Sequence, residues 1–177
     1  MDLEFDVVEL GPTDHPGAGE TVPEFTRPLV SAEYWEDTAL SSLYEDGPLL
    51  LVFHSMIGAF PATYIWQELQ EREIPDQIDS VGLSIATPYA HAEFIRERNL
   101  DEQGVRFFAD PANTVAAEYN IEMDLDGMTG ISEPRPATFV IDMDGNITYA
   151  WVGETVPAFP DYDALEAAVE TVTQTDD

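Results

Sequence analysis

Five apolar residues in an unbroken row, Leu49-Leu50-Leu51-Val52-Phe53, restrict the fold of this chain more than any other segment. Pro48 and His54 bound the run. A strand with one face in water alternates apolar and polar residues, whereas a run without alternation needs apolar cover on both faces. Ser80–Ala86 (Ser-Val-Gly-Leu-Ser-Ile-Ala) reads as a second strand of this kind. Between the two, Ala62 to about Glu73 reads as a helix that stops before Pro75, with Tyr64, Ile65 and Leu69 on one apolar side. Strand, helix and strand in this order form a parallel βαβ unit, which places the chain in the α/β class. At 177 residues it has room for one such domain.

The remaining segments extend that plan. Residues 1–22 read as an irregular lead-in, with a strand over Glu4–Leu10, and 23–173 as the domain. Residues 23–30 are extended, and 31–46 carry one or two short helices. Tyr89–Asn99 is helical, with Ala92, Phe94 and Ile95 as core positions, and Val105–Ala109 is a short strand. A third helix runs from Pro111 to about Tyr119 with Asp110 as its N-cap. Ala137–Asp142 and Asn146–Val152 form a hairpin, since Asp144-Gly145 supplies the residues tight turns need. Asp161 to about Thr173 closes the chain as an amphipathic helix, and Thr173–Asp177 is a polar tail. The expected product is a three-layer sandwich: a mixed central sheet, helices on both faces, a C-terminal β-hairpin and a closing helix.

Composition removes whole classes of function. Thirty-six acidic residues stand against six basic ones, for a formal net charge of −30. The six are all arginine, and there is no lysine. Such a surface cannot neutralise phosphates, which disfavours nucleic-acid binding. The carboxylates are spread along the chain rather than gathered on one stretch, which argues for a surface solvated in molar salt and against a nucleic-acid mimic. Zero cysteine removes disulfides, thiolate catalysis and thiolate metal sites together. No apolar stretch has the length of a membrane span, and Met1-Asp2-Leu3-Glu4 does not open a secretory signal, so the expectation is a cytoplasmic protein. Asp124-Leu125-Asp126-Gly127 and Asp142-Met143-Asp144-Gly145 place glycine fourth, not sixth as in a calcium loop, and read as turns.

Several segments in sequence resemble the alkyl hydroperoxide reductase/thiol-specific antioxidant (peroxiredoxin) family of the thioredoxin-like superfamily. Val22-Pro23-Glu24-Phe25-Thr26 resembles that family's opening Ala-Pro-Asp-Phe-Thr. Leu50–Phe53 resembles the strand before its active site, and Gln67-Glu68-Leu69 a stretch of its active-site helix. Phe108-Ala109-Asp110-Pro111 with Ala117-Glu118-Tyr119 resembles its Ser-Asp-Pro…Ala-x-x-Tyr. Thr138–Gly145 resembles Thr-Phe-Val-Ile-Asp-x-Asp-Gly closely. The resemblance spans roughly 20–172 and implies a thioredoxin-like, peroxiredoxin-type fold, with a homodimer as an assembly common in the family.

The resemblance also implies a catalytic cysteine after the first strand, assisted by Thr or Ser and by Arg. Counting forward from Phe53 puts that cysteine at Ala62, and counting back from Glu68-Leu69 puts it at Ile65; positions 54–66 hold none. Thr63 matches the family threonine only in a shifted alignment. The position of the family arginine is Pro136, with Arg135 one residue earlier. Thioredoxins carry a cis-proline in the equivalent loop, so Pro136 is expected to be cis and to expose backbone for strand-like contact with a partner. The candidate site residues are therefore His54, Thr63, Tyr64, Ile65, Arg135 and Pro136. Met56, Phe60, Tyr64 and Trp66 are expected around the vacated site, with Trp35 and Trp151 extending it. His54 can serve as base or ligand, or simply be hydrogen-bonded at a strand end. His15 and His91 show no ligand spacing to it, and Ser55 and Ser84 show no His–Asp partners. No cofactor and no metal are expected. Two functions remain: a non-catalytic module binding a protein or small molecule at the degenerate site, or a thiol-independent oxidoreductase or antioxidant enzyme of the same superfamily.

Overall fold

The buried run does lie at the centre of a sheet covered on both sides. A computed structural model describes residues 7–124 and 129–174. Its elements are β1 (Val8–Glu9), β2 (Thr26–Val30), β3 (Trp35–Ala39), α1 (Leu40–Tyr44), β4 (Leu49–Phe53), α2 (Phe60–Glu71), α3 (Ile74–Gln77), β5 (Asp79–Ser84) and α4 (Pro88–Glu97). A 3-10 turn over Leu100–Gln103 leads into β6 (Arg106–Ala109), α5 (Thr114–Glu118), β7 (Glu122–Met123), β8 (Glu133–Pro134), β9 (Ala137–Ile141), β10 (Ile147–Val152), β11 (Thr155–Val156) and α6 (Tyr162–Gln174).

The main sheet has seven strands in the order β10-β9-β4-β5-β6-β2-β3. β4, β5 and β6 are parallel; β9 pairs antiparallel with β4, and β2 with β6. All five residues of β4 are buried. Leu49, Leu51 and Phe53 enter one core with Phe25, Leu40, Val115 and Tyr119, on the side of α1 and α5. Leu50 and Val52 enter the other with Ile65, Leu69, Ile95, Leu165 and Val169, under α2, α4 and α6. Burying each such side chain stabilises the fold by roughly 1.5–3 kcal/mol. Gly82 in β5 is required by close approach, since a Cβ there would stand 2.5 Å from the Phe107 ring and 2.9 Å from Trp66.

Three local expectations are corrected. Trp35–Ala39 is an edge strand and not part of a helix; it carries no apolar period, and its hydrogen bonds to β2 form it. Only Leu40–Tyr44 is helical within 31–46. The helix expected to start at Pro111 begins three residues later, after Asn113 adopts a left-handed φ of 57°. Asp110 still binds its first turn, because its Oδ2 accepts from the Val115 N–H at 2.8 Å while Arg27 donates to Oδ1 at 3.0 Å. The helix expected to stop before Pro75 does so, ending at Glu71, and Pro75 stands in the separate short α3 that follows a left-handed φ of 56° at Glu73. Among the described residues the N-terminal strand covers Val8–Glu9 and pairs with β11. Residues 4–6 of its expected span lie outside the described residues, as do most of the Asp124–Gly127 turn and the end of the polar tail.

The hairpin forms as its turn residues dictate. Gly145 takes φ 81°, and Asp142 Oδ1 accepts from the N–H groups of Asp144 (3.0 Å) and Asn146 (2.9 Å). Among the described residues no helix is long and apolar enough to cross a membrane.

Candidate functional site

The C-terminal end of β4 opens into a cleft of about 300 Å³. His54 and Ser55 at the strand end form its floor, and Ala59, Phe60 and Pro61 at the start of α2 form one wall. Glu133 and Pro136, Met123 of β7, Val8 of β1 and Val156-Pro157 after the hairpin complete it. The ends of parallel strands are where α/β folds collect ligands, because loops there diverge and leave a crevice. β1–β11 pairing brings the lead-in to the rim of this crevice.

His54 is fully buried beneath the cleft. The Trp66 indole N–H, a donor only, reaches its Nε2 at 3.0 Å, so Nε2 is the acceptor and the proton sits on Nδ1. Nδ1–H then donates to the Ser55 carbonyl at 2.7 Å. Burial lowers its pKa to about 4, and the ring is neutral at pH 7. Both nitrogens are occupied, so the ring has no lone pair to offer a substrate.

The other expected residues do not converge. Thr63 is half-buried on α2, Tyr64 is 54% exposed and Ile65 faces the core. Ala62 stands in the first turn of α2, where free N–H groups stabilise a thiolate; Ile65 is a turn further in. Arg135 is buried and turned from the cleft, with Nη1 donating to the Gly11 carbonyl at 2.7 Å. Pro136 lines the cleft, but it is buried and its carbonyl accepts from Gly153 N–H at 2.8 Å. Its carbonyl is not open to a partner, and its peptide bond is trans; among the described residues the cis bond is Val156-Pro157, which also lines the cleft. Gly153 permits this closure, since a Cβ there would lie 2.9 Å from the Pro136 ring.

Trp66 packs into the core against Phe107, with ring centroids 5.0 Å apart. Phe60 and Tyr64 instead stay outside, edge to face at 5.9 Å, and Tyr64 meets Phe159 at 6.4 Å. Trp35 is remote in the sheet, at the β3 edge, where it meets Tyr89 at 4.9 Å.

Two features lack a sequence signal. Glu133 is buried beside the cleft, and its Oε2 accepts from the Met56 N–H at 3.1 Å. With 36 acids in the chain, nothing local distinguishes this one; its place between Ser132 and Pro134 is the sole cue. Ser84 Oγ lies 3.1 Å from His91 Nε2, joining the end of β5 to α4. Burial first, and neighbouring His54 second, lower the His91 pKa to about 3. His91 Nδ1 has no hydrogen-bond partner, so no carboxylate completes a triad, and the pair is closed to solvent. Among the described residues no three His, Asp or Glu side chains are placed to hold a metal ion.

A central βαβ unit, an antiparallel hairpin, a closing helix and a crevice at the β4 end define a thioredoxin-like protein of peroxiredoxin architecture. Residues 18–150 match the model of the AhpC/TSA family, and the chain belongs to that family. Among solved structures it is similar to the peroxidoxin BcpB of Mycobacterium tuberculosis, with a TM-score of 0.69, 23% identity, and 92% of this chain and 99% of that one covered. It is also similar to a thiol peroxidase from Chromobacterium violaceum, with a TM-score of 0.73, 20% identity, and 92% and 90% covered. AhpC of Enterococcus faecalis gives a TM-score of 0.70 at 14% identity, with 87% and 90% covered. No curated protein sequence matches.

Proposed function

We propose that this chain is a non-catalytic member of its family, a module that binds a partner in the cleft at the end of β4. The observation that carries this reading is Ala62 in the first turn of α2, in a chain without a single cysteine. Reduction of a peroxide by a thiol begins with thiolate attack, and here the helix end that would stabilise the thiolate holds a methyl group. Arg135, which would supply the family's cation, is held by Gly11. What remains is a concave, mostly apolar surface with a few polar groups, the general form of a binding site. The dispersed carboxylates support a working environment of molar salt, in the cytoplasm of a salt-accumulating cell.

Peroxide consumption by the purified protein in molar salt tests the non-catalytic half. The unmodified chain should match buffer, and Ala62→Cys should gain a thiol that titrates below the ordinary cysteine range. Turnover by the unmodified chain would overturn the reading in favour of a thiol-independent oxidoreductase. A photo-crosslinking residue in place of exposed Tyr64 tests the other half: the binding reading requires a discrete adduct in native extract, and its absence refutes it.

A further inference from the structure

Of the six arginines only Arg135 is buried, at 9% exposure. Arg27, Arg72 and Arg106 are more exposed, and each meets a carboxylate within 3.0 Å. Among the described residues Arg135 forms no ion pair, although the chain holds 36 acids. The arginine furthest from water is thus one without a carboxylate. A guanidinium does not shed its proton, so deprotonation cannot relieve the burial. A buried charge that is not paired is costly, and a counter-charge removes that cost.

The hydrogen bonds of the side chain leave one edge over. Nη1 donates to the Gly11 carbonyl at 2.7 Å, whereas Nε is buried and has no partner. On a planar guanidinium the Nε–H and one Nη2–H lie side by side, and that edge takes an anion through two parallel bonds. Gly11 occupies the far end of the group and leaves this edge free.

The lead-in lies across the same place. The Arg135 N–H donates to the Ile121 carbonyl at 2.8 Å, and Asn120 Nδ2 donates to the Asp14 carbonyl at 3.1 Å. Val8, three residues before Gly11, and Pro136, next to Arg135, both line the cleft. Arg135 therefore ties the lead-in to the opposite rim. The small exposure of the side chain suits a small ion better than an organic acid. A net charge of −30 repels every anion in dilute buffer. In molar salt the Debye length falls to about 3 Å, and mass action then favours occupation.

We propose that Arg135 holds a small inorganic anion of the halide class, chloride in molar chloride, on its Nε–Nη2 edge, and that the bound ion fastens the lead-in at the rim of the cleft. The ion is held whether or not the cleft binds a partner.

Spectra of the arginine Nε–H groups in nitrogen-15-labelled protein test this, with chloride exchanged for gluconate at constant molar ionic strength. The signal that Arg135→Met removes should move along a saturating curve as chloride rises, and the Gly11 amide should move with it. The melting temperature of the unmodified protein should rise with chloride in the same series, and Arg135→Met should lose that rise. Crystals of the unmodified protein soaked in bromide should show anomalous density within hydrogen-bond reach of Nε, a result that does not depend on the variant folding. Equal spectra and melting temperatures in chloride and gluconate would overturn the site, leaving screening alone. Bromide found only at other surface positions would also overturn it, as an adventitious ion only. A saturating Arg135 shift with an unmoved Gly11 amide would overturn the fastening of the lead-in.

Discussion

His54 and His91 flank the Phe107 ring, His91 stacked on it at 5.1 Å and His54 edge-on at 5.7 Å. Both are fully buried and neutral, and burial lowers their pKa values from the ordinary 6.5 to about 4 and about 3. The folded state therefore binds fewer protons than the unfolded state, and stability falls as pH drops. The loss begins at about pH 6.5, where the unfolded histidines start to charge, and ends at about 4 for His54 and about 3 for His91. Within that window each histidine costs up to about 1.4 kcal/mol per pH unit. Denaturant titrations at fixed molar salt should show unfolding free energy declining from pH 6.5 to 4.5. A flat profile there would contradict the buried, neutral assignment. At the same scale, the sequence marks His54 as a strand-end residue, which it is. It gives no sign of the Trp66 bond that occupies Nε2, because the partner comes from a helix whose rotation depends on packing.

Between elements, Arg72 is the clearest tie. At the end of α2 it reaches Glu68 at 2.7 Å, and Asp163 and Glu166 of α6 at 2.9 and 3.1 Å, and it lies over the Tyr162 ring at 5.3 Å. Without it, three carboxylates face one another across the α2–α6 contact. Arg72→Leu should therefore lower the melting temperature, by most in dilute buffer and by least in molar salt, where both attraction and repulsion are screened. Calorimetry of both proteins at the two salt levels checks this, and a deficit that grows with salt would refute it. Elements with a local signal are legible in sequence: β4 by its unbroken apolar run, β5 by the Val81-Gly82-Leu83 stretch between Ser80 and Ser84, α4 and α6 by their apolar stripes, and the hairpin by Asp144-Gly145. β3 is not legible, because an exposed edge strand that reads Trp-Glu-Asp-Thr-Ala is specified by its partner β2 rather than by its own pattern. The start of α5 is displaced for a similar reason, since Pro111 signals a helix start and the turn through Asn113 overrides it.

For the whole molecule, a net charge of −30 stores self-repulsion in the compact state, and salt relieves it. The melting temperature should rise steadily from about 0.1 M to molar potassium chloride, as the Debye length shrinks from about 10 Å to about 3 Å. A melting temperature independent of salt would overturn the salt-adapted reading. The sequence by itself determined the α/β plan, because runs apolar on both sides require cover on both faces, and it determined the loss of thiol chemistry, because no fold can create a sulfur. The tertiary structure decided what occupies the site. Glu133 meets Met56 across 77 residues, and Arg135 turns to Gly11 across 124. Local periodicity reports burial along one element and is silent on which distant groups the closed chain brings face to face. Which side chains line the cleft is therefore set only when the sheet is assembled.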